Sequence, residues 1–183
     1  MLIKYDYVTL MLINMTGGLV ILAWFVLRGL AQENRKHWAP AFALSGAIAA
    51  VTGFTMIFTW PLPNPYNIPY GEMSVLLGLL FLASAWALAK GWDLMPIAVY
   101  SIFAGAAAIL IGVRMMCLGL TQQPVLSGVG FILTGAAGVL AVLMLRFKQS
   151  EWLRVLGALL LLAAASIWAW TGYTAYWWHL SMK

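Results

Sequence analysis

Long apolar segments alternate with short polar connections along the whole chain of 183 residues. Each segment is long enough for the ~20 apolar residues with which a helix crosses a bilayer core about 30 Å thick. We expect six such helices, at residues 5–30, 40–60, 72–90, 94–120, 124–146 and 151–178. The pattern therefore predicts an all-α fold, in which one domain over residues 1–183 is a polytopic bundle of six transmembrane helices.

Proline and glycine mark the ends of these segments. Pro124 suits the first turn of a helix, where its missing N–H removes no hydrogen bond. Gly91 and Gly119 follow the third and fourth segments, as is typical of helix C-termini. Pro61 disfavours helical geometry in Trp60, so the second helix should end there.

Composition agrees with a membrane environment. Hydrophobic residues make up 64% of the chain and charged residues only 8%, whereas soluble domains carry about 25% charged residues. The mean hydropathy is +0.93. The net charge of +5 does not indicate nucleic-acid binding, because the basic residues are scattered over the ends of segments and form no patch. We expect the bilayer and its anionic head groups to be the partners of these charges.

The basic residues also predict an orientation. Seven follow the first, third and fifth segments: Arg28, Arg35, Lys36, Lys90, Arg146, Lys148 and Arg154. Three belong to the other side: Lys4, Arg114 and Lys183. The positive-inside rule therefore predicts a multi-pass protein of the cell membrane with both the N-terminus and the C-terminus outside.

Small residues indicate where helices approach one another. Lipid tails provide no hydrophobic force between helices, so close contacts favour glycine and alanine. Helix 4 has Ala108 and Gly112 at four-residue spacing, and helix 5 has Gly128, Gly135 and Gly138. We expect helices 2, 4 and 5 to be central, and the leucine-rich helix 6 to face lipid or a partner.

Two charges fall beside apolar sequence and need an explanation. Glu72 begins helix 3, and Arg114 precedes Met115 near the end of helix 4. Counted from the turn between these helices, both lie about 30 Å away at ~1.5 Å per residue, so they share a depth on the outer side. An arginine there is unfavourable unless it pairs or reaches water. We expect a Glu72–Arg114 ion pair, as a structural contact or as part of an outer ligand-binding site.

The connection before Glu72 contains four of the seven prolines, at positions 61, 63, 65 and 69. We expect it to be stiff, extended and non-helical, either as a rigid interfacial connection or as a lid over the outer end of the bundle. The second alternative predicts an outer pocket formed by the connection and helix 6. Its expected lining is Tyr66, Asn67, Tyr70, Trp168, Trp170, Tyr173 and His179.

The same region resembles a known family. The resemblance is carried by Thr59-Trp60-Pro61, then Pro65-Tyr66-Asn67-Ile68-Pro69-Tyr70-Gly71-Glu72, and, after an apolar helix, Ala89-Lys90-Gly91-Trp92-Asp93. This pattern is similar to the predicted bacterial and archaeal membrane proteins catalogued as domain of unknown function 981. The resemblance implies a multi-helix membrane protein. It implies no activity and identifies no catalytic residue.

The sequence gives little support for a metal site or for nucleophilic catalysis. His37 and His179 belong to opposite sides, so they cannot ligate one haem. Met115, Met116 and Cys117 offer soft ligands for Cu(I), but consecutive residues of a helix point in different directions, so they are weak candidates. No nucleophile has a partner base and an orienting acid, so we expect no enzyme activity from this chain alone. The residues leave any cofactor undetermined.

Three functions remain open. An accessory or structural subunit of a larger membrane complex agrees best with a chain that has few intramembrane polar groups and many aromatic residues. A small transporter or channel would need a polar path across the membrane. A binder of a lipid, quinone or pigment would use the outer site near Glu72 and Arg114.

Overall fold

The fold consists of six long helices in the computed structural model, which describes residues 7–181. The helices are α1 Tyr7–Trp24, α2 Ala39–Thr59, α3 Met73–Lys90, α4 Met95–Leu118, α5 Pro124–Arg146 and α6 Glu151–His179. Each helix, with its short extensions, is long and apolar enough to cross a membrane. The predicted all-α class and the six helices are therefore confirmed, with bounds within a few residues of those expected.

The predicted helix ends are also correct. Gly91 and Gly119 follow α3 and α4 in the left-handed conformation, with φ of +73° and +63°. Trp60 ends α2 at φ +45°, directly before Pro61. Pro124 is the first residue of α5. Local sequence determines these positions because each end depends on the conformational limits of one or two residues.

The proline-rich connection is folded more tightly than expected. It contains a 3-10 turn, Asn64–Tyr66, and a π-helical turn, Ile68–Glu72, that leads directly into α3. The prediction of an extended, non-helical segment was therefore wrong. Pro65 and Pro69 lie at the first or second position of these turns, where the absent N–H breaks no hydrogen bond.

The helices form a closed ring in chain order. Each helix contacts the next one, and α6 returns to contact α1. The contacts of α4 with α5, α2 with α3 and α1 with α6 are extensive, whereas α3 and α4 barely touch. We call the end that holds the α1–α2, α3–α4 and α5–α6 connections the basic end, because seven of the ten basic residues lie there.

Glycines bring the backbones of the paired helices together. A methyl group on Gly105 of α4 would collide with the carbonyl oxygen of Gly135 of α5, and the reverse also holds. Gly46 and Gly78 have the same relationship between α2 and α3, at 2.9 Å in both directions. The expectation of close contacts at small residues is confirmed for α4 and α5. However, α4 is the least buried span, so its predicted central position was wrong. Its glycines Gly105 and Gly112 pack against α5.

Candidate functional site

An apolar cavity of about 150 Å³ lies inside the ring, in the half nearer the basic end. All six helices line it. Representative lining residues are Leu19 of α1, Phe42 of α2, Leu77 of α3, Ile97 of α4, Ala137 of α5 and Leu161 of α6. No ionisable side chain is among its lining residues. The cavity wall therefore offers no counter-charge to an ionic group.

A second cavity of about 70 Å³ continues the first one toward the opposite end. The two share five lining residues: Leu77, Leu80, Ser101, Thr134 and Gly138. Along α3 the lining extends from Leu88 to Met73, which is about 22 Å at ~1.5 Å per residue. Together the cavities form a narrow slot parallel to the helices.

The slot lies behind the boundary between α3 and α4. Both helices line both cavities, and their mutual contact is the slightest in the ring. Small side chains, Ala98, Ser101 and Ala104, face the slot from α4, whereas the large Phe103 and Leu110 of the same helix are exposed on the outside.

Most of the slot's few polar groups are already satisfied. The Ser101 hydroxyl lies 2.8 Å from the carbonyl oxygens of Ala98 and Gly138. The Thr134 hydroxyl donates to the Gly130 carbonyl at 2.8 Å and accepts from the indole N–H of Trp168 at 3.0 Å. Because these hydroxyl groups are hydrogen-bonded within the slot wall, they leave the interior of the slot apolar.

Aromatic side chains pack together at the end opposite the basic end. Tyr70 lies beside Phe131 with ring centroids 6.2 Å apart, and Phe131 packs edge-on against Trp168 at 5.1 Å. Asn67 is fully buried, and its amide binds Leu62 through an N–H···O bond in each direction, at 3.0 and 2.6 Å. The proline-rich connection is thus fixed to the bundle through Tyr70.

The residues of the predicted outer pocket fall into two groups. Tyr70 and Trp168 both pack against Phe131. Trp170 and Tyr173 instead line a shallow groove on the exposed face of α6, together with Trp177. The remaining members differ too: Asn67 is buried in the connection, Tyr66 is half-buried, and His179 is exposed at the end of α6 with its Nδ1 3.5 Å from the Thr9 hydroxyl.

Glu72 and Arg114 are both exposed. The charged atoms of Glu72 and Arg114 lie more than 4.0 Å apart, so these two side chains form no salt bridge with each other. The slight contact between α3 and α4 gives a physical reason, because the helices that carry the two charges are not held together. The expected ion pair is thus not formed in this structure, and the outer ligand-binding site stays a prediction.

The soft ligands near Arg114 diverge around α4. Met115 is buried, Met116 is half-buried and Cys117 is exposed. Over residues 7–181, no group of three or more His, Cys, Asp or Glu side chains has a spacing that suits a metal ion. The weak copper candidates therefore do not face a common point.

The apolar slot was not foreseen from the sequence. Its signal is present as small residues on facing helices, namely Ala98 and Ser101 on α4 and Ala137, Gly138 and Ala141 on α5. Such residues ordinarily predict close helix contact. That some of these small residues border an open space instead is visible only from where α3 and α6 lie in the folded structure.

Comparisons with known proteins add a family and no activity. No curated protein and no solved structure was found to match the chain. A family model described as "Protein of unknown function (DUF981)" matches residues 1–182. This match covers nearly the whole chain and confirms the family indicated by the residues around Glu72. The protein therefore belongs to the DUF981 family.

Proposed function

We propose that this protein is a multi-pass membrane protein that binds a long hydrocarbon chain, the tail of a lipid or of an isoprenoid quinone, in the slot behind α3 and α4. The observation that carries the proposal is the cavity of about 150 Å³ lined by all six helices, with no ionisable residue in its wall. An apolar cavity of roughly this volume in a soluble protein stays dry and accepts benzene. In a bilayer, the molecules available to fill it are hydrocarbon chains.

The shape of the slot favours a chain over a compact molecule. Its lining extends about 22 Å along α3, while one leaflet of the hydrocarbon core is about 15 Å thick, half of ~30 Å. A chain that enters between α3 and α4 would therefore pass the membrane midplane. The satisfied hydroxyls of Ser101 and Thr134 leave few polar contacts for a hydrated ion, which makes ion conduction a weaker alternative.

Filling the slot tests this function. Ala141 lines the first cavity, so Ala141→Phe places an aromatic ring in the ligand's space. Ala106 is exposed on α4, and Ala106→Phe makes the same change of side chain on the outer surface. A fatty acid with a diazirine on its chain would be photo-crosslinked to each purified protein, and the modified peptides would be identified by mass spectrometry.

We expect crosslinks at slot residues such as Leu77 and Leu80 in the wild type and in Ala106→Phe. We expect about tenfold less crosslinking there in Ala141→Phe, because overfilling costs ~1–3 kcal/mol. Equal crosslinking of these peptides in all three proteins would refute chain binding in the slot. Unfolding midpoints of the variants show whether a loss merely reflects misfolding.

We further propose that the basic end faces the cytoplasm and that both termini lie outside, in the cell membrane. The support is the excess of seven basic residues over three between the two sides. Cys117 is the only cysteine, is exposed and lies at the opposite end. A membrane-impermeant maleimide should label it in intact cells and should leave Lys148→Cys unlabelled in a Cys117→Ser background. The reverse pattern would invert the orientation.

A second candidate function is that of an accessory subunit of a larger membrane complex. The groove on the outer face of α6 favours it, since Trp170, Tyr173 and Trp177 are each more than 60% exposed there. Aromatic residues are enriched at interface cores, although they are also enriched where helices leave the membrane. Native mass spectrometry after mild solubilisation should show another protein subunit bound, and Trp170→Ala with Tyr173→Ala should release it. A monomer without protein partners would refute this role.

A further inference from the structure

The Arg154 side chain lies partly buried in the first turn of α6, at the basic end. One of its terminal nitrogens, Nη1, donates to the carbonyl oxygen of Leu27 at 3.1 Å. Leu27 belongs to the π-helical turn Phe25–Gly29 that ends the first helix. A guanidinium has five N–H donors, so this contact uses one and leaves the others for further partners. The Nε atom is buried and has no hydrogen-bond partner.

No carboxylate of residues 7–181 neutralises this guanidinium. Glu151 is one helical turn away on α6, but its side chain is exposed, and no acidic oxygen among the described residues lies within 4.0 Å of Arg154. A buried cation is unfavourable unless it is paired and hydrogen-bonded. A partly buried guanidinium with unused N–H groups therefore suits an anion with several acceptor oxygens.

The surroundings identify the kind of anion. The basic end carries seven Lys and Arg residues against the three acidic residues Glu33, Asp93 and Glu151. Arg154 lies in the first turn of a helix that is long and apolar enough to cross a membrane. In a bilayer, the end of such a span would lie near the head groups. Phosphate suits a guanidinium because two parallel N–H···O bonds match its planar fork.

We infer that Arg154 is a binding site for a phosphate group, presented by the head group of an anionic lipid, at the junction of α6 with the π-helical turn Phe25–Gly29. The Leu27 carbonyl holds the guanidinium in place, and the remaining N–H groups of its two terminal nitrogens bind the phosphate oxygens. This site is independent of the slot behind α3 and α4. Its ligand is recognised by charge, whereas the slot recognises hydrocarbon.

The test compares Arg154→Gln with a matched control, Arg146→Gln. Both variants remove one arginine at the basic end, but Arg146 is exposed. Each protein would be placed in nanodiscs of phosphatidylcholine alone and in nanodiscs that also contain phosphatidylglycerol. The unfolding midpoint would be measured in both, and bound phosphatidylglycerol would be counted by native mass spectrometry.

We expect phosphatidylglycerol to raise the unfolding midpoint of the wild type and of Arg146→Gln, and to remain bound to both. In Arg154→Gln the affinity should fall about tenfold or more, since hydrogen bonds to a charged group are lost, and the increase should disappear. Arg154→Lys should retain part of the increase, because it keeps the charge but not the fork.

A second arm identifies the source of the phosphate. Inorganic phosphate would be titrated onto each protein in phosphatidylcholine nanodiscs, with sulfate-free buffer at constant ionic strength. A saturable stabilisation that Arg154→Gln abolishes would assign the site to soluble phosphate. An effect of the lipid alone would assign it to a head group. Both results support an Arg154 phosphate site.

A purely structural role gives a different result. If Arg154 only ties α6 to Leu27, Arg154→Gln will lower the unfolding midpoint equally in both lipids and keep the full phosphatidylglycerol increase. That outcome, or equal lipid retention by Arg154→Gln and Arg146→Gln, would overturn the inference. The slot-filling variant Ala141→Phe should keep the increase, which separates this result from chain binding.

Discussion

Gly105 of α4 and Gly135 of α5 lie backbone to backbone, so that a methyl group on either would meet the carbonyl oxygen of the other. A second pair of glycines makes the same close contact between α4 and α5, since a methyl group on Gly112 would lie 2.6 Å from the Gly128 carbonyl oxygen. Backbone atoms cannot move aside as a side chain can, so these contacts require glycine. They explain why α4 packs tightly on α5 while it scarcely touches α3.

Gly135→Ala should therefore destabilise the protein, by about 1–3 kcal/mol or more, because the added methyl forces α4 and α5 apart. Gly17→Ala is the matched control, since nothing lies within 4 Å of a methyl group there. Alanine is also the better helix former, so Gly17→Ala should be neutral or slightly stabilising. Unfolding midpoints in detergent would measure both. Equal effects of the two substitutions would contradict the close contact.

Trp168→Phe should cost at least ~0.5–1.5 kcal/mol, the usual net value of one hydrogen bond, because the smaller ring also leaves a cavity at this fully buried position. The substitution removes the indole N–H that donates to Thr134 at 3.0 Å but keeps an aromatic ring beside Phe131. The exposed Trp170 provides the control, and Trp170→Phe should change the stability little. A double-mutant cycle with Thr134→Val isolates the bond. A coupling energy near zero would show that the hydrogen bond contributes nothing.

Asn67→Ala should loosen the connection between α2 and α3. It removes the amide that binds both the N–H and the carbonyl of Leu62, and it leaves these groups without their partner. We expect faster hydrogen exchange across residues 61–67 and a lower unfolding midpoint. The exposed Gln122, in another connection, gives the control Gln122→Ala, which should change neither. Unchanged exchange in Asn67→Ala would mean that the prolines alone fix this segment.

Asn67→Asp separates the contact with the Leu62 N–H from the contact with the Leu62 carbonyl. The carboxylate can still accept from the Leu62 N–H, but it cannot donate to the Leu62 carbonyl and instead places a negative charge against it. Because Asn67 is fully buried, this charge has no access to solvent, and Asn67→Asp should be more destabilising than Asn67→Ala. The opposite order would show that the carbonyl contact is unimportant.

Sequence reasoning placed Trp168 correctly on the helix that closes the bundle, but assigned it to the same pocket as Trp170. The two residues differ by two positions, which is about 200° around an α-helix. Trp168 is buried against Phe131, and Trp170 is exposed. In a soluble protein, polar residues would reveal which face is outside. On α6 both faces are apolar, so the sequence offered no such contrast.

The amino-acid sequence by itself determined the apolar character of the segments, the number of helices, the ends of helices at Gly91 and Gly119, and the family, because each depends on composition or on local conformational limits. Tertiary structure decided which helices are neighbours, that α4 packs on α5 and not on α3, and that a slot remains behind that boundary. It also decided that Arg154 is partly buried against the Leu27 carbonyl, with no acidic oxygen of the described residues within 4.0 Å. The physical reason is that lipid and helix interior are equally apolar, so hydrophobicity selects the membrane without selecting a partner for each helix face.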